Sequence, residues 1–220
     1  MADGHREYWS KVARDYDRVV DLQIGPRTRE MVRQRLAREG RLGDVVELGC
    51  GSGFYTAVLA EKADTVVATD IAPGMLELAR ERVAAPNVRF QAEDCQRTSL
   101  PDAAFDTVFM SLLIHFTEPP TTVAEIRRLL KPGGRLIIAN LDPRALQGFD
   151  RIRCLARVVW QGFRGYRAKP PPGGLGSVMT ERELRDLLER NGFDVSSAET
   201  IQDPSNSSHI PVEYVTAVKR

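Results

Sequence analysis

From Asp44 onward the chain alternates between short, almost wholly apolar runs and longer stretches whose apolar residues return every three or four positions. The short runs predict strands at Asp44–Leu48, Thr65–Thr69, Val88–Gln91, Phe105–Met110 and Arg135–Asn140. The periodic stretches predict helices at Phe54–Glu61, Pro73–Val83 and Thr121–Leu130. Strands with no polar face, alternating with helices, predict a parallel sheet covered on both sides. The first forty residues read as helices, with Trp9, Val12, Ala13, Tyr16 and Val19 on one face and Met31, Val32 and Leu36 on another after Gly25-Pro26. Near the other end, Thr180-Glu181-Arg182-Glu183 has the form of a capping box and opens a helix that stops near Asn191-Gly192. Phe193–Ile201 and Pro211–Lys219 then read as closing strands whose short, helix-free connection predicts antiparallel pairing.

The expected fold is therefore α/β: a doubly wound, mostly parallel seven-stranded sheet with an antiparallel C-terminal strand. Residues 1–220 read as a single domain, with N-terminal helices over 1–42 and an insertion over 143–179 after the fifth strand.

Composition narrows the function only by exclusion. Thirty-one Lys plus Arg against thirty Asp plus Glu leave a net charge of +1, which gives no bulk attraction to nucleic acid or to an anionic membrane. No apolar stretch reaches the length of a bilayer span, and the first residues lack a signal-peptide run, so a cytoplasmic protein without stable membrane insertion is expected. Cys50, Cys95 and Cys154 are too widely spaced for a disulfide framework or a zinc signature, and no metal site is expected. Asn206-Ser207-Ser208 matches a glycosylation sequon and, without a secretory route, reads as a polar turn.

The chemistry starts in the loop after the first strand, Val45-Val46-Glu47-Leu48-Gly49-Cys50-Gly51-Ser52-Gly53. Glycines between a strand and a helix admit the tight turn and let a ligand approach the backbone. A dinucleotide loop would need glycine five residues after the first, and Phe54 stands there when counting from Gly49. Glu47, two residues before the first glycine, would repel a pyrophosphate and suits a cationic ligand. Asp70, ending the second strand about twenty residues on, can accept from both hydroxyls of a ribose; the bland alternative is a solvated strand end.

This run resembles the first motif of the class I S-adenosylmethionine-dependent methyltransferases, in particular the group acting on small molecules. The likeness extends from about Tyr8 to Lys219: Asp70-Ile71-Ala72-Pro73-Gly74-Met75-Leu76 resembles the second motif, Ala92-Glu93-Asp94-Cys95 the adenine-binding one, and Leu130-Lys131-Pro132-Gly133-Gly134 a turn before the fifth strand. The resemblance implies a site in which Gly49, Cys50, Gly51 and Gly53 cradle the methionine part of S-adenosylmethionine while Glu47 faces its amino group. Asp70 and Ile71 would lie at the ribose, Met75 on the adenine face, and Asp94 with the Cys95 amide at the adenine edge. Tyr16, in Tyr8-Trp9-Ser10-Lys11-Val12-Ala13-Arg14-Asp15-Tyr16-Asp17, resembles an N-terminal aromatic that closes over the cofactor, although an aromatic stripe at helical spacing also suits a core. S-adenosylhomocysteine would be the product.

The acceptor leaves fewer marks. Ser111, expected to line the cofactor, and His115 follow the fourth strand, where ligands of such sheets collect. In-line transfer from a sulfonium needs mainly positioning, so a base is optional. His115 is the candidate base and has a packing histidine as its alternative. Residues 143–170 hold Arg144, Arg151, Arg153, Arg157, Arg164, Arg167 and Lys169 against Asp150, with Phe149, Ile152, Ala156, Val159 and Phe163 at helical spacing. The segment reads as a solvated basic helix, as a lid whose Phe149, Arg157, Trp160 and Phe163 meet the acceptor, or as a peripheral contact with an anionic membrane.

Asp/Asn-Pro-Pro-Tyr after the fourth strand and the paired glutamates of protein arginine methyltransferases are both lacking, and no nucleic-acid module is appended. The expected partner is a small-molecule acceptor, methylated at O, N or C. A lipid-like quinone precursor and a non-catalytic cofactor-binding role stand as alternatives.

Overall fold

The computed structural model describes residues 2–146, 148–163 and 178–220. Seven strands form one sheet: β1 (Gly43–Leu48), β2 (Ala63–Asp70), β3 (Val88–Ala92), β4 (Phe105–Ser111), β5 (Leu130–Leu141), β6 (Phe193–Ile201) and β7 (Val212–Lys219), in the order β3-β2-β1-β4-β5-β7-β6. The first five are mutually parallel, whereas β7 runs antiparallel to both β5 and β6. Strand order reverses between β1 and β4, so the connections leaving their carboxyl ends part to opposite faces and open a crevice there.

Alternation along the strands sends side chains to two cores. Val45, Phe109 and Ile137 face α2 (Tyr16–Ile24), α3 (Pro26–Ala37) and α4 (Thr56–Lys62), where Val20, Ile24, Val32, Leu36, Val58 and Leu59 are buried. Val46, Val108 and Ile138 face α6 (Pro119–Leu129) and α8 (Glu181–Arg190), packing with Ile126, Leu129, Leu184 and Leu188. Both faces are thus apolar, which is why these strands read as continuous hydrophobic runs. Between them, α5 (Pro73–Arg82) follows β2, and α1 (Ala2–Val12) lies against it.

Element boundaries differ from the hydrophobic pattern where backbone pairing outlasts it. β2 begins at Ala63 and β5 at Leu130, earlier than their apolar stretches, because Ala63 pairs with Gly43 and Leu130 with Phe105. The helix expected from Thr121 begins at Pro119, since proline at the first turn gives up only an amide that has no helical partner. After β5 a short turn at Pro143–Ala145, capped by the Asp142 carboxylate, leads into α7 (Gly148–Phe163). Helical spacing correctly anticipated α7, yet Phe149 and Ile152 are 72% and 61% exposed. The side chains of Arg157, Trp160 and Phe163, like Arg164, Arg167 and Lys169, lie outside the described residues.

The capping box of α8 is present in full. Thr180 Oγ1 accepts from the Glu183 amide at 3.2 Å, and the Thr180 amide donates to Glu183 Oε2 at 2.8 Å. Glu183 also receives two hydrogen bonds from Arg144, both 2.8 Å, which tie the start of the insertion to this helix. Thr180→Ala is expected to cost about 1 kcal/mol, read as a lower urea midpoint with an unchanged slope.

Candidate functional site

The crevice is built from the carboxyl ends of β1, β2 and β4. Gly49, Gly51 and Gly53 all have positive φ (72°, 53° and 78°), a region costly for residues with a Cβ. The chain also comes close on the open side: a Cβ on Gly51 would stand 2.8 Å from the Tyr16 ring, and one on Gly49 would stand 2.5 Å from Leu113. The loop is fastened at both ends, with the Cys50 amide donating to the Thr69 carbonyl at 2.7 Å and the Gly53 amide to the Cys50 carbonyl at 2.9 Å.

Two carboxylates flank this loop. Glu47 is 2% exposed and receives a 2.6 Å hydrogen bond from Thr56 Oγ1. Burial, which the Thr56 bond only partly offsets and nearby Asp70 reinforces, pushes its carboxyl up to about 8. Asp70 accepts from the Gly51 and Ala72 amides, each at 2.9 Å, and burial raises it to about 6 against the pull of these bonds. Neither carboxylate forms a salt bridge among the described residues. Asp70 and Tyr16 are crowded by protein on every side yet keep some accessible surface, as groups lining an internal cleft do. Glu47 lies deeper.

The N-terminal helices roof the cleft. Ser10 is so close to Gly74 that a Cβ there would meet the Ser10 carbonyl at 3.1 Å. Trp9 makes edge contacts with Tyr16 (6.0 Å between centroids) and Phe116 (5.1 Å). Met75 is buried beneath this roof with Ala13 and Ala72, beside Ile71 and Tyr16. Asp94 lies near enough to His5 of α1 to act on its charge, while its own Oδ1 accepts from the Gln96 amide at 2.9 Å. Cys95 packs into the α6 side of the core. Burial, with Glu47 and Asp70 adding to it at Cys50, holds the Cys50 and Cys95 thiols above their ordinary range, so neither is a reactive thiolate.

Beyond β4 the chain turns sharply at Leu112, whose φ is +52°, and enters a short helical turn at Ile114–Phe116. His115 is 2% exposed, lies tilted against Phe116 at 4.1 Å, and has no hydrogen-bond partner at Nδ1. Burial lowers its imidazole to about 4. Ser111 Oγ and the Tyr55 hydroxyl are likewise buried without a hydrogen bond of ordinary geometry, although the two are close enough to influence each other. Spacing gave no sign of Tyr55, because it pointed inward from the helix start as an ordinary core aromatic. Phe149 stands on the exposed side of α7.

Comparison with known proteins places the chain in a family. A model described as "Methyltransferase domain" matches residues 46–138. The demethylmenaquinone methyltransferase of Thermus thermophilus is 34% identical over 161 residues, covering 70% of each chain. The chain belongs to the class I S-adenosylmethionine-dependent methyltransferases. Another relative, the malonyl-[acyl-carrier protein] O-methyltransferase of Serratia marcescens, is 33% identical over 142 residues; the match covers 63% of this chain and about half (53%) of that protein. Among solved methyltransferases, the N-methyltransferase NodS of Bradyrhizobium japonicum, in complex with S-adenosyl-L-homocysteine, superposes with a TM-score of 0.61. It is 17% identical, with 88% of this chain and 86% of that one covered.

The residues present fit the methyltransferase cofactor. S-adenosylmethionine carries an ammonium and a sulfonium, and the cleft offers two buried carboxylates with no cationic side chain bonded to them among the described residues. A cationic ligand favours their ionised forms, so at a pH below their ligand-free values binding must first expel protons. Affinity for S-adenosylmethionine is therefore expected to rise with pH through about 6 to 8, by one to two orders of magnitude if both carboxyls ionise in the complex. Calorimetry at pH 6 and 8 in buffers of different ionisation enthalpy checks both the affinity and the released protons. Glu47→Gln should remove most of the dependence, and a flat profile in the parent protein would refute it.

Proposed function

We propose that the protein transfers a methyl group to a small organic acceptor bearing an oxygen that is already ionised, or strongly hydrogen-bonded, at neutral pH. What supports this is the chemistry at the end of β4: the Tyr55 and Ser111 hydroxyls, close enough to act on each other and otherwise without a hydrogen-bond partner, and an imidazole too weakly basic to serve as a strong base. The cofactor, when bound, supplies an electrophilic methyl on a sulfonium. Gly49, Gly51 and Gly53 would let it lie against the backbone, with Glu47 and Asp70 meeting its amino group and ribose. Met75, Ile71, Asp94 and the Cys95 amide would bound its adenine, and Tyr16 would cover it.

Magnitudes argue against His115 as the base. A phenol ionises near ~10, so handing its proton to an imidazole of about 4 is uphill by roughly 8 kcal/mol. That is too much for useful base catalysis of a neutral phenol or alcohol. A carboxylate, an acidic enol or another preformed nucleophile needs no such step. His115 then acts as a neutral hydrogen-bonding and packing group, while the Tyr55 and Ser111 hydroxyls donate to an acceptor oxygen. Donation suits Tyr55, whose hydroxyl is pushed up to about 12 by burial, although Arg29 pulls the other way.

The name of one relative, an O-methyltransferase of malonyl-[acyl-carrier protein], supports an acceptor of this kind, whereas those of others, demethylmenaquinone methyltransferases, support a quinone precursor. A lipid-like quinone precursor is the second reading. It is favoured by the exposed Phe149 and Ile152 beside the exposed Arg151 and Arg153 on α7. No helix among the described residues is long and apolar enough to cross a membrane, so such an acceptor would be met peripherally.

The test is S-adenosylhomocysteine release over a panel of acidic enols, carboxylates and phenols in solution, and of quinols in anionic vesicles. Turnover confined to the soluble acids supports the first reading, and turnover confined to vesicles the second. Tight cofactor binding with no turnover over the whole panel overturns both in favour of a binding protein. With an active acceptor, His115→Ala is expected to lower kcat about tenfold or less with no change in its pH profile between 6 and 8. Loss of a titration in that range would restore the base role. Tyr55→Phe and Ser111→Ala should each raise the acceptor KM roughly five- to tenfold, the scale of one hydrogen bond.

A further inference from the structure

Asp17 sits one residue beyond Tyr16 and is the meeting point of three elements. Its Oδ1 accepts from Ser52 Oγ at 2.6 Å, within the glycine loop, and from Arg29 of α3 at 2.6 Å. Its Oδ2 accepts from Arg82, the last residue of α5. Arg82 closes the ring by donating to Ser52 Oγ at 2.8 Å. Arg29, only 4% exposed, also donates to Asp21 at 3.4 Å and lies over the Phe54 ring at 3.8 Å. Burial works against the Asp17 charge, but hydrogen bonds from Arg82, Ser52 and Arg29 outweigh it and hold the carboxyl at about 2. It is therefore ionised throughout the physiological range.

This ring spans the junction between the N-terminal roof and the cofactor cleft. On the roof side Asp17 is continuous with Tyr16, which lies against Gly51, and through Trp9 with Phe116. On the cleft side, Ser52 belongs to the glycine loop and Arg82 to the helix that opens with the Met75 turn. Lifting the roof away from Gly51, Asp70 and Met75 would break the Asp17 contacts with Ser52 and Arg82, which oppose that movement.

We propose that Asp17 is a positioning residue whose ring of contacts with Ser52, Arg82 and Arg29 latches the N-terminal helices over the bound cofactor and sets its release rate. The proposal rests on the cleft being the S-adenosylmethionine site. It assigns Asp17 no contact with the reacting atoms, so methyl transfer in a single turnover is untouched once the cofactor is held.

The test uses the full chain in a Trp160→Phe background with S-adenosylhomocysteine as the probe, its dissociation followed by displacement in stopped flow through the fluorescence of Trp9. Asp17→Asn is expected to speed dissociation at least tenfold and to raise the KM for S-adenosylmethionine in proportion, with the single-turnover rate at saturation within twofold of the parent. Asp17→Glu should recover part of the loss. Arg82→Met alters a half-exposed side chain and covers the case in which Asp17→Asn fails to fold; it should speed dissociation three- to tenfold. Combining the two should add little beyond Asp17→Asn alone, because both break one ring. Unchanged dissociation in a folded variant overturns the latch, as does a slowed single turnover at saturation. Failure of the parent protein itself to bind S-adenosylhomocysteine overturns the cofactor reading, and the latch with it.

Discussion

Burying a carboxylate without a cation is among the more costly things a fold can do, and this one does it twice at the same place. Glu47 and Asp70 end adjacent parallel strands, so the pairing of β1 with β2 brings the two acidic groups to one side of the glycine loop whether or not a ligand is present. Thr56 and the amides of Gly51 and Ala72 relieve only part of the cost, and both groups stay partly protonated near neutrality. An interior prepared in this way discriminates by charge before it discriminates by shape. It rejects a pyrophosphate and is stabilised by a ligand that carries its own positive groups.

Much of the surrounding architecture follows from keeping that acidic cleft dry. Water would screen the carboxylates and compete for the ligand, so the cleft needs a cover that can still open. The helices before β1 lie where such a cover would be, meeting the loop through an aromatic seam of Trp9, Tyr16 and Phe116 and through the charged ring centred on Asp17. The seam is apolar and non-directional, whereas the ring is directional and fixes the register of the roof on the loop. Exposed ion pairs contribute little to stability, but here Arg29 is nearly inaccessible and its partner's charge is held far into the ionised range.

The candidate cleft was legible in the sequence because the residues that form it are local. The glycines, Glu47 and Asp70 sit at strand ends that the apolar runs already delimit, and two-residue offsets from those ends place them. The sheet was legible for the same reason, down to the antiparallel return of β7. Strand starts were less so, since Ala63 and Leu130 pair through their backbones and carry no side-chain signal of it. The ring around Asp17 was invisible: Asp17, Ser52 and Arg82 are thirty or more residues apart and each reads as an ordinary polar surface position. Tyr55 escaped for the opposite reason, being an apolar ring by pattern and a hydroxyl donor only by where its tip ends.

The acceptor side follows a different logic from the donor side. Where the donor meets charge, the end of β4 presents neutral groups: Ser111, Tyr55 and an imidazole that burial keeps unprotonated. In-line displacement needs the nucleophile opposite the leaving group, so positioning by these neutral groups is what the acceptor side would have to supply. A strongly basic histidine, protonated at neutral pH, would pin the acceptor by charge and hold it in its ground state. A neutral one stabilises the nucleophile's charge less in the ground state, and because that charge is spent as the methyl moves, less is lost on the way to the transition state.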